Sequence, residues 1–138
     1  MLQLLQFDSM KKTILFAVIL LTGTYVVNGQ VSKSIEGIWL GTLKIQATEL
    51  RLGITISAAD DGTYRGVLNS IDQGGVEVPL DETRLTGDTL EVKSAMLGLN
   101  MKGAVYPEKG TWETVFQQGT YVSPLTMKRV DRLPDVKQ

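Results

Sequence analysis

After Gln30 the apolar residues of this chain fall on alternate positions, and no stretch carries the i, i+3, i+4, i+7 spacing of an amphipathic helix. Leu50, Leu52, Ile54 and Ile56 alternate with Arg51, Gly53, Thr55 and Ser57, so one face of an extended segment turns to a core and the other to water. Asp60-Asp61-Gly62 then stops the run, because glycine accepts positive φ and aspartate bonds its own backbone. The same alternation puts Tyr64, Gly66 and Leu68 on one face of Thr63–Ser70, and Leu90 and Val92 on one face of Thr89–Ser94. Leu97, Leu99 and Met101 form another apolar face, and Pro107-Glu108-Lys109-Gly110 another turn. With Gly37–Ile45, Val76–Leu85, Thr111–Gln117 and Tyr121–Val130 there are about eight strands at the spacing of a sandwich or barrel. Pro79 and Pro124 predict bulges or edges in two of them. Ser70 to Gly75 is the longest irregular connection. Since closure removes exposed edges, the expectation is an all-β fold, a small antiparallel barrel.

The first thirty residues follow other rules. Lys11 and Lys12 precede an apolar run from Thr13 to Val27, and Asn28-Gly29-Gln30 follows. This is the layout of a secretory signal, with Val27 and Gly29 at the −3 and −1 positions of the cleavage site. A membrane span needs ~20 apolar residues, more than this run supplies, and Thr22, Gly23 and Thr24 interrupt it. The expected organisation is a signal helix over 1–29, a barrel domain over 30–132, and a polar tail or the start of a linker over 133–138. Export to the periplasm or the extracellular space follows, with no membrane segment after cleavage.

The chain of 138 residues has neither cysteine nor histidine. Disulfides, zinc thiolates, cysteine nucleophiles, Ser-His-Asp triads and histidine bases are therefore excluded. With 14 Lys+Arg against 15 Asp+Glu, there is no basic footprint for nucleic acid. Paired carboxylates are what remains for catalysis. Glu77 and Asp81 are spaced to share a face, as a glycosidase pair requires. Asp60/Asp61 and Asp81/Glu82 are sequence neighbours, which point to opposite faces of a strand. Solvated turn and edge charges are the simpler reading of all of these. Asp60, Asp61 and Asp88 offer oxygen ligands for calcium, but without a D-x-[DN]-x-[DN]-G loop. The expectation is no enzyme activity, no metal and no cofactor.

Aromatic residues are better candidates for binding. Trp39, Tyr64, Tyr106, Trp112, Phe116 and Tyr121 are spread over several strands or their ends. Facing inward, they either line a barrel mouth that holds a small apolar ligand or fill the core of a barrel this small; the filled core is the expected case. Gly37-Ile38-Trp39 on the first strand and Arg129 on the last resemble the closure of lipocalin-like, or calycin-like, barrels. That resemblance implies a close approach at Gly37, a Trp39 plug and an Arg129 stacked on its indole.

A second resemblance covers residues 37–129. Its elements are Gly37-Ile-Trp-Leu-Gly-Thr-Leu43, Leu50-Arg-Leu52, Asp61-Gly62, Leu68-Asn-Ser-Ile-Asp-Gln-Gly74, Val78-Pro-Leu80 and Gly87-Asp-Thr-Leu90. Gly110-Thr-Trp112, Gln118-Gly119 and Pro124-Leu-Thr-Met-Lys-Arg129 complete the set. In order and spacing it resembles the N-terminal β domain preceding the catalytic domain of exported bacterial α/β-hydrolases of the serine aminopeptidase and esterase kind. In that family the G-x-S-x-G elbow and the triad belong to the downstream domain; neither G-x-S-x-G nor histidine occurs here. The resemblance implies an accessory module without its enzyme, in which the Ser70–Gly75 segment, with Asp72, Gln73 and Gly74, is a docking surface. Gln118 joins Trp39, Tyr64 and Trp112 as a further candidate contact. The competing reading of Asp72 and Gln73 is structural, as caps for backbone groups in a long turn. The implied partners are a hydrolase encoded downstream, or its substrate. The alternative function is a stand-alone lipocalin-like carrier of a small apolar ligand.

Overall fold

The computed structural model describes residues 34–136; the signal expected over 1–29 lies outside them. Nine strands follow one another: β1 (Gly37–Ile45), β2 (Thr48–Ala58), β3 (Tyr64–Ser70), β4 (Val76–Pro79), β5 (Glu82–Thr86), β6 (Thr89–Ser94), β7 (Leu99–Tyr106), β8 (Thr111–Gln118) and β9 (Tyr121–Val130). A single 3-10 turn, Ile71–Gln73, joins β3 to the segment before β4. All pairings are antiparallel, in one sheet of order β4-β3-β2-β1-β9-β8-β7-β6-β5. The fold is therefore all-β, and the sheet curls into a small barrel-like shell. Every neighbouring pair is consecutive in the chain except β1 and β9, which join the two halves through Ile38–Leu40 against Lys128–Val130.

The expected strand Val76–Leu85 is in fact two. Alternation continues through Pro79 and Leu80, but the pairing partner changes. The Leu80 amide donates to the Gly66 carbonyl on β3 at 2.9 Å, and the next amide, Asp81, donates to Lys93 on β6 at 2.9 Å. Two residues thus carry the chain from one end of the sheet to the other, and β4 and β5 become its two edges. Pro79 sits at the last position of edge strand β4, where no ladder bond is lost. Pro124 lies opposite Val115 of β8, in the part of β9 beyond its short ladder with β1. That stretch of β9 is an edge on one side, which tolerates the missing N–H.

Inward side chains fill most of the shell. Trp39, Ile54, Leu90, Val92, Met101, Trp112 and Met127 are all fully buried, as alternation on their strands requires. The shell has two unlike ends. At the end where β1 begins, Trp39 lies across the interior and donates its indole N–H to the Ile35 carbonyl at 2.9 Å. At the end where β1 finishes, here called the mouth, the β1–β9 ladder has already stopped. Tyr121 bridges that gap by donating its hydroxyl to the Lys44 carbonyl at 3.1 Å, and its ring meets Phe116 edge-on at 6.2 Å.

The segment expected to leave the fold at residue 133 stays against it instead. Leu133 is half-buried over Gly53 on the outer face of β2, where a Cβ on residue 53 would lie 2.4 Å from Leu133 Cδ2. Val136 lies over Gly75 in the same way, at 2.7 Å. The tail therefore runs back from the Trp39 end, past the middle of β2, to the loop at the mouth.

Candidate binding site at the mouth of the barrel

The interior is not filled at the mouth. A cavity of 230 Å³ opens there, walled by Leu43 and Ile45 of β1, Leu50 and Leu52 of β2, Leu68 of β3 and Val78 of β4. Leu97, Leu99 and Phe116 close the opposite wall, and Val76 lies at the lip. These are the same inward positions that form the core lower down. They become a cup because the residues closing the rim, Ser70, Gln73 and Gln118, are polar and do not plug it. Met96, in the β6–β7 connection, is an apolar side chain left 75% exposed.

One wall of the cup is the turn between β3 and β4, and its geometry is fixed by charge. Asp72 accepts the Arg51 backbone N–H at 2.8 Å and takes the Arg51 guanidinium in a fork, Nε at 3.1 Å and Nη2 at 2.6 Å. This hydrogen-bonded fork holds the guanidinium above its ordinary pKa, despite some loss of hydration. Ser70 donates its hydroxyl to Gln73 Oε1 at 2.6 Å, and Gly75 donates its amide to the Ser70 carbonyl at 3.0 Å. Asp72 thus caps a backbone group, the structural role that competed with docking, while Gln73 bonds the Ser70 side chain. Gly74 ends the 3-10 turn in the left-handed region, at φ 81°. On the far side of the mouth Gln118 donates its amide to the Leu97 carbonyl at 3.0 Å.

The candidate residues divide between the two ends. Asp72, Gln73, Gly74 and Gln118 gather at the mouth. Trp39 and Trp112 lie in the packed half, both 0% exposed, and Tyr64 is half-buried at the start of β3, beside Ile35 and Leu85. None of these three lines the cup. At the Trp39 end, the Arg129 guanidinium stands 4.7 Å from the centre of the Trp39 ring. It donates to the Ser34 carbonyl and, at 3.4 Å, to the Pro107 carbonyl. Gly37 sits at φ 127°, and a Cβ there would come within 3.5 Å of Arg129 Nε. This end is a lid of three residues.

Asp61, Glu77 and Asp81 have structural partners. Asp81 accepts the Ala95 amide at 2.5 Å, Glu77 accepts from Asn69 at 3.3 Å, and Asp61 accepts the Thr63 hydroxyl and amide at 2.6 and 3.0 Å. Those two Thr63 bonds hold Asp61 below the usual carboxylate range. Among the described residues no three carboxylates converge as a metal site would require, and no helix is long and apolar enough to cross a membrane.

Gln73, Phe116 and Gln118 of the cup were candidates in the sequence, but its aliphatic residues could not be separated there from core. One signal was present: Ile45 and Leu50 flank a short turn, and Leu97 and Leu99 flank another glycine, so all four belong near strand ends. The chain matches no known protein family, no characterised protein and no solved structure.

Proposed function

We propose that this chain is a non-catalytic binding module, of the kind that precedes the catalytic domain in exported α/β-hydrolases, and that it meets a hydrolase or that enzyme's substrate through its mouth. One observation carries the reading. An apolar cup, a turn pinned by Arg51 and Asp72, and the returning tail all meet at the same end of the barrel. Barrel mouths with an apolar lining and a few polar rim groups are where such folds take ligands. The class of partner comes from the resemblance carried by the ordered motifs. The structural bonds made by Asp61, Glu77 and Asp81 are consistent with carboxylates that do no chemistry. A second reading, the stand-alone lipocalin-like carrier, is favoured by the cup itself.

Two measurements on the purified protein and one in cells separate these readings. Esterase and aminopeptidase assays should show no turnover proportional to protein concentration; such turnover overturns both. A photo-crosslinker replacing Met96 should trap an exported hydrolase bearing G-x-S-x-G. No such capture, with saturable binding of an apolar probe in the cup, gives the carrier reading instead.

A further inference from the structure

We infer that the cup selects uncharged ligands: a ring or short apolar chain with a neutral hydrogen-bonding head, in preference to an ionised amphiphile such as a fatty-acid anion. This rests on the mouth being the working end. None of the side chains lining the cup is ionisable, and its polar groups are limited to Ser70, Gln73 and Gln118. The cations nearest in the chain, Lys44 and Arg51, stand at the outward positions of β1 and β2. Lys44 pairs with Glu49 at 3.6 Å, and Arg51 is held in the fork of Asp72. An anionic head that follows its chain toward the apolar lining loses part of its water and gains no counter-charge, whereas a neutral head loses less.

A neutral head meets suitable groups. Ser70 gives its proton to Gln73 Oε1 and Gln118 gives an N–H to the Leu97 carbonyl. The Gln73 amide nitrogen and the Gln118 amide oxygen remain to serve as donor and acceptor for an alcohol, ester or amide. Size sets the other limit. An apolar cavity of about 150 Å³ holds benzene, so 230 Å³ suits a substituted ring or a chain of about six carbons. Val76 at the lip, 55% exposed, extends the apolar path outward and gives the ligand an entry.

The experiment is an amide-resolved NMR titration of the protein with hexan-1-ol and with hexanoate at neutral pH. Hexan-1-ol should shift the Leu43, Leu68 and Leu99 amides saturably, and hexanoate should bind at least about tenfold more weakly, since its head is unpaired at the rim. Gln118→Lys, at an exposed position, should remove that difference by supplying the missing cation. Val76→Trp should cover the cup and weaken both ligands. Equal affinities in the unaltered protein would overturn the charge selection and leave the mouth as the working end. Binding of neither ligand by the folded protein would overturn the mouth reading itself.

Discussion

Replacing Arg129 with methionine should destabilise the barrel by about 2–3 kcal/mol while leaving the cup intact. The magnitude follows from what the guanidinium does. It lies over the Trp39 ring at 4.7 Å, in a half-buried position, where a cation–π contact contributes about 1 kcal/mol. It also donates to the Ser34 and Pro107 carbonyls. A hydrogen bond from a charged donor contributes about 1.5 kcal/mol, and the longer bond to Pro107 adds little. Methionine keeps much of the stem that packs beside Gly37 and Gly110, so packing loss is small. Against a domain stability of about 5–15 kcal/mol the loss is large, and a domain of this size should melt ~10 °C lower or more. Urea unfolding followed by tryptophan fluorescence reads it, since Trp39 lies directly beneath the substituted side chain. A double-mutant cycle with Trp39→Phe should show a coupling of about 0.5–1.5 kcal/mol, because the two residues form one contact. Destabilisation below about 0.5 kcal/mol, or strict additivity with Trp39→Phe, would refute the lid. Loss of hexan-1-ol binding in a folded Arg129→Met protein would equally contradict the separation of the two ends.

Three further predictions concern the mouth, the tail and acid. Asp72→Asn loses the charge half of the fork with Arg51, so hydrogen exchange at residues 71–75 should quicken while β5 to β9 stay unchanged; unaltered exchange at the turn would contradict the pinning. Leu133→Ser should release the tail from Gly53, exposing residues 131–136 to protease at a stability cost of about 1 kcal/mol; continued resistance to cleavage would show that Leu133 does not anchor it. Asp61 is held below its ordinary pKa by Thr63. Glu91 is also lowered: its burial favours the neutral acid, but hydrogen bonds from Asn100 and Lys93 and the charge of Lys102 outweigh that. A carboxylate depressed in the folded state stabilises above its unfolded pKa, about 4, and loses that contribution as pH falls through the lower folded value. The urea midpoint should therefore drop below about pH 4, and Asp61→Asn with Glu91→Gln should flatten the drop; an identical slope in the variant would remove these two groups from the account.

Strands were legible because alternation is a local property. The faces of β2, β3 and β6 could be assigned residue by residue from their spacing. What went unread was a change of partner: Val76, Val78 and Leu80 share one phase, Thr83 and Leu85 the other, and the two halves pair with opposite ends of the sheet. Pro79 was the visible mark of that change. The closing trio of Gly37, Trp39 and Arg129 was legible through its resemblance to the closure of lipocalin-like barrels. The cup was not legible, since Leu52 and Leu68 in a cavity wall look the same in sequence as Ile54 in a packed core. Among the candidate aromatics, Trp39 and Trp112 lie in the filled half, whereas Phe116 and Tyr121 stand at the mouth. The tail had a faint signal in Gly53, a residue without a side chain on an outer face otherwise built from Arg51, Thr55 and Ser57. A strand glycine of this kind marks the close approach of another chain segment, here Leu133.

Xenon tests the preformed apolar cup at the mouth most directly, since apolar cavities of this size take up the gas without a polar contact. In crystals held under xenon pressure, one site should appear between Leu43, Leu52, Leu68 and Phe116, with no comparable site beside Trp39 or Trp112. Xenon absent from the cup, or bound only in the half that Trp39 closes, would contradict the claim that the mouth is where this protein binds.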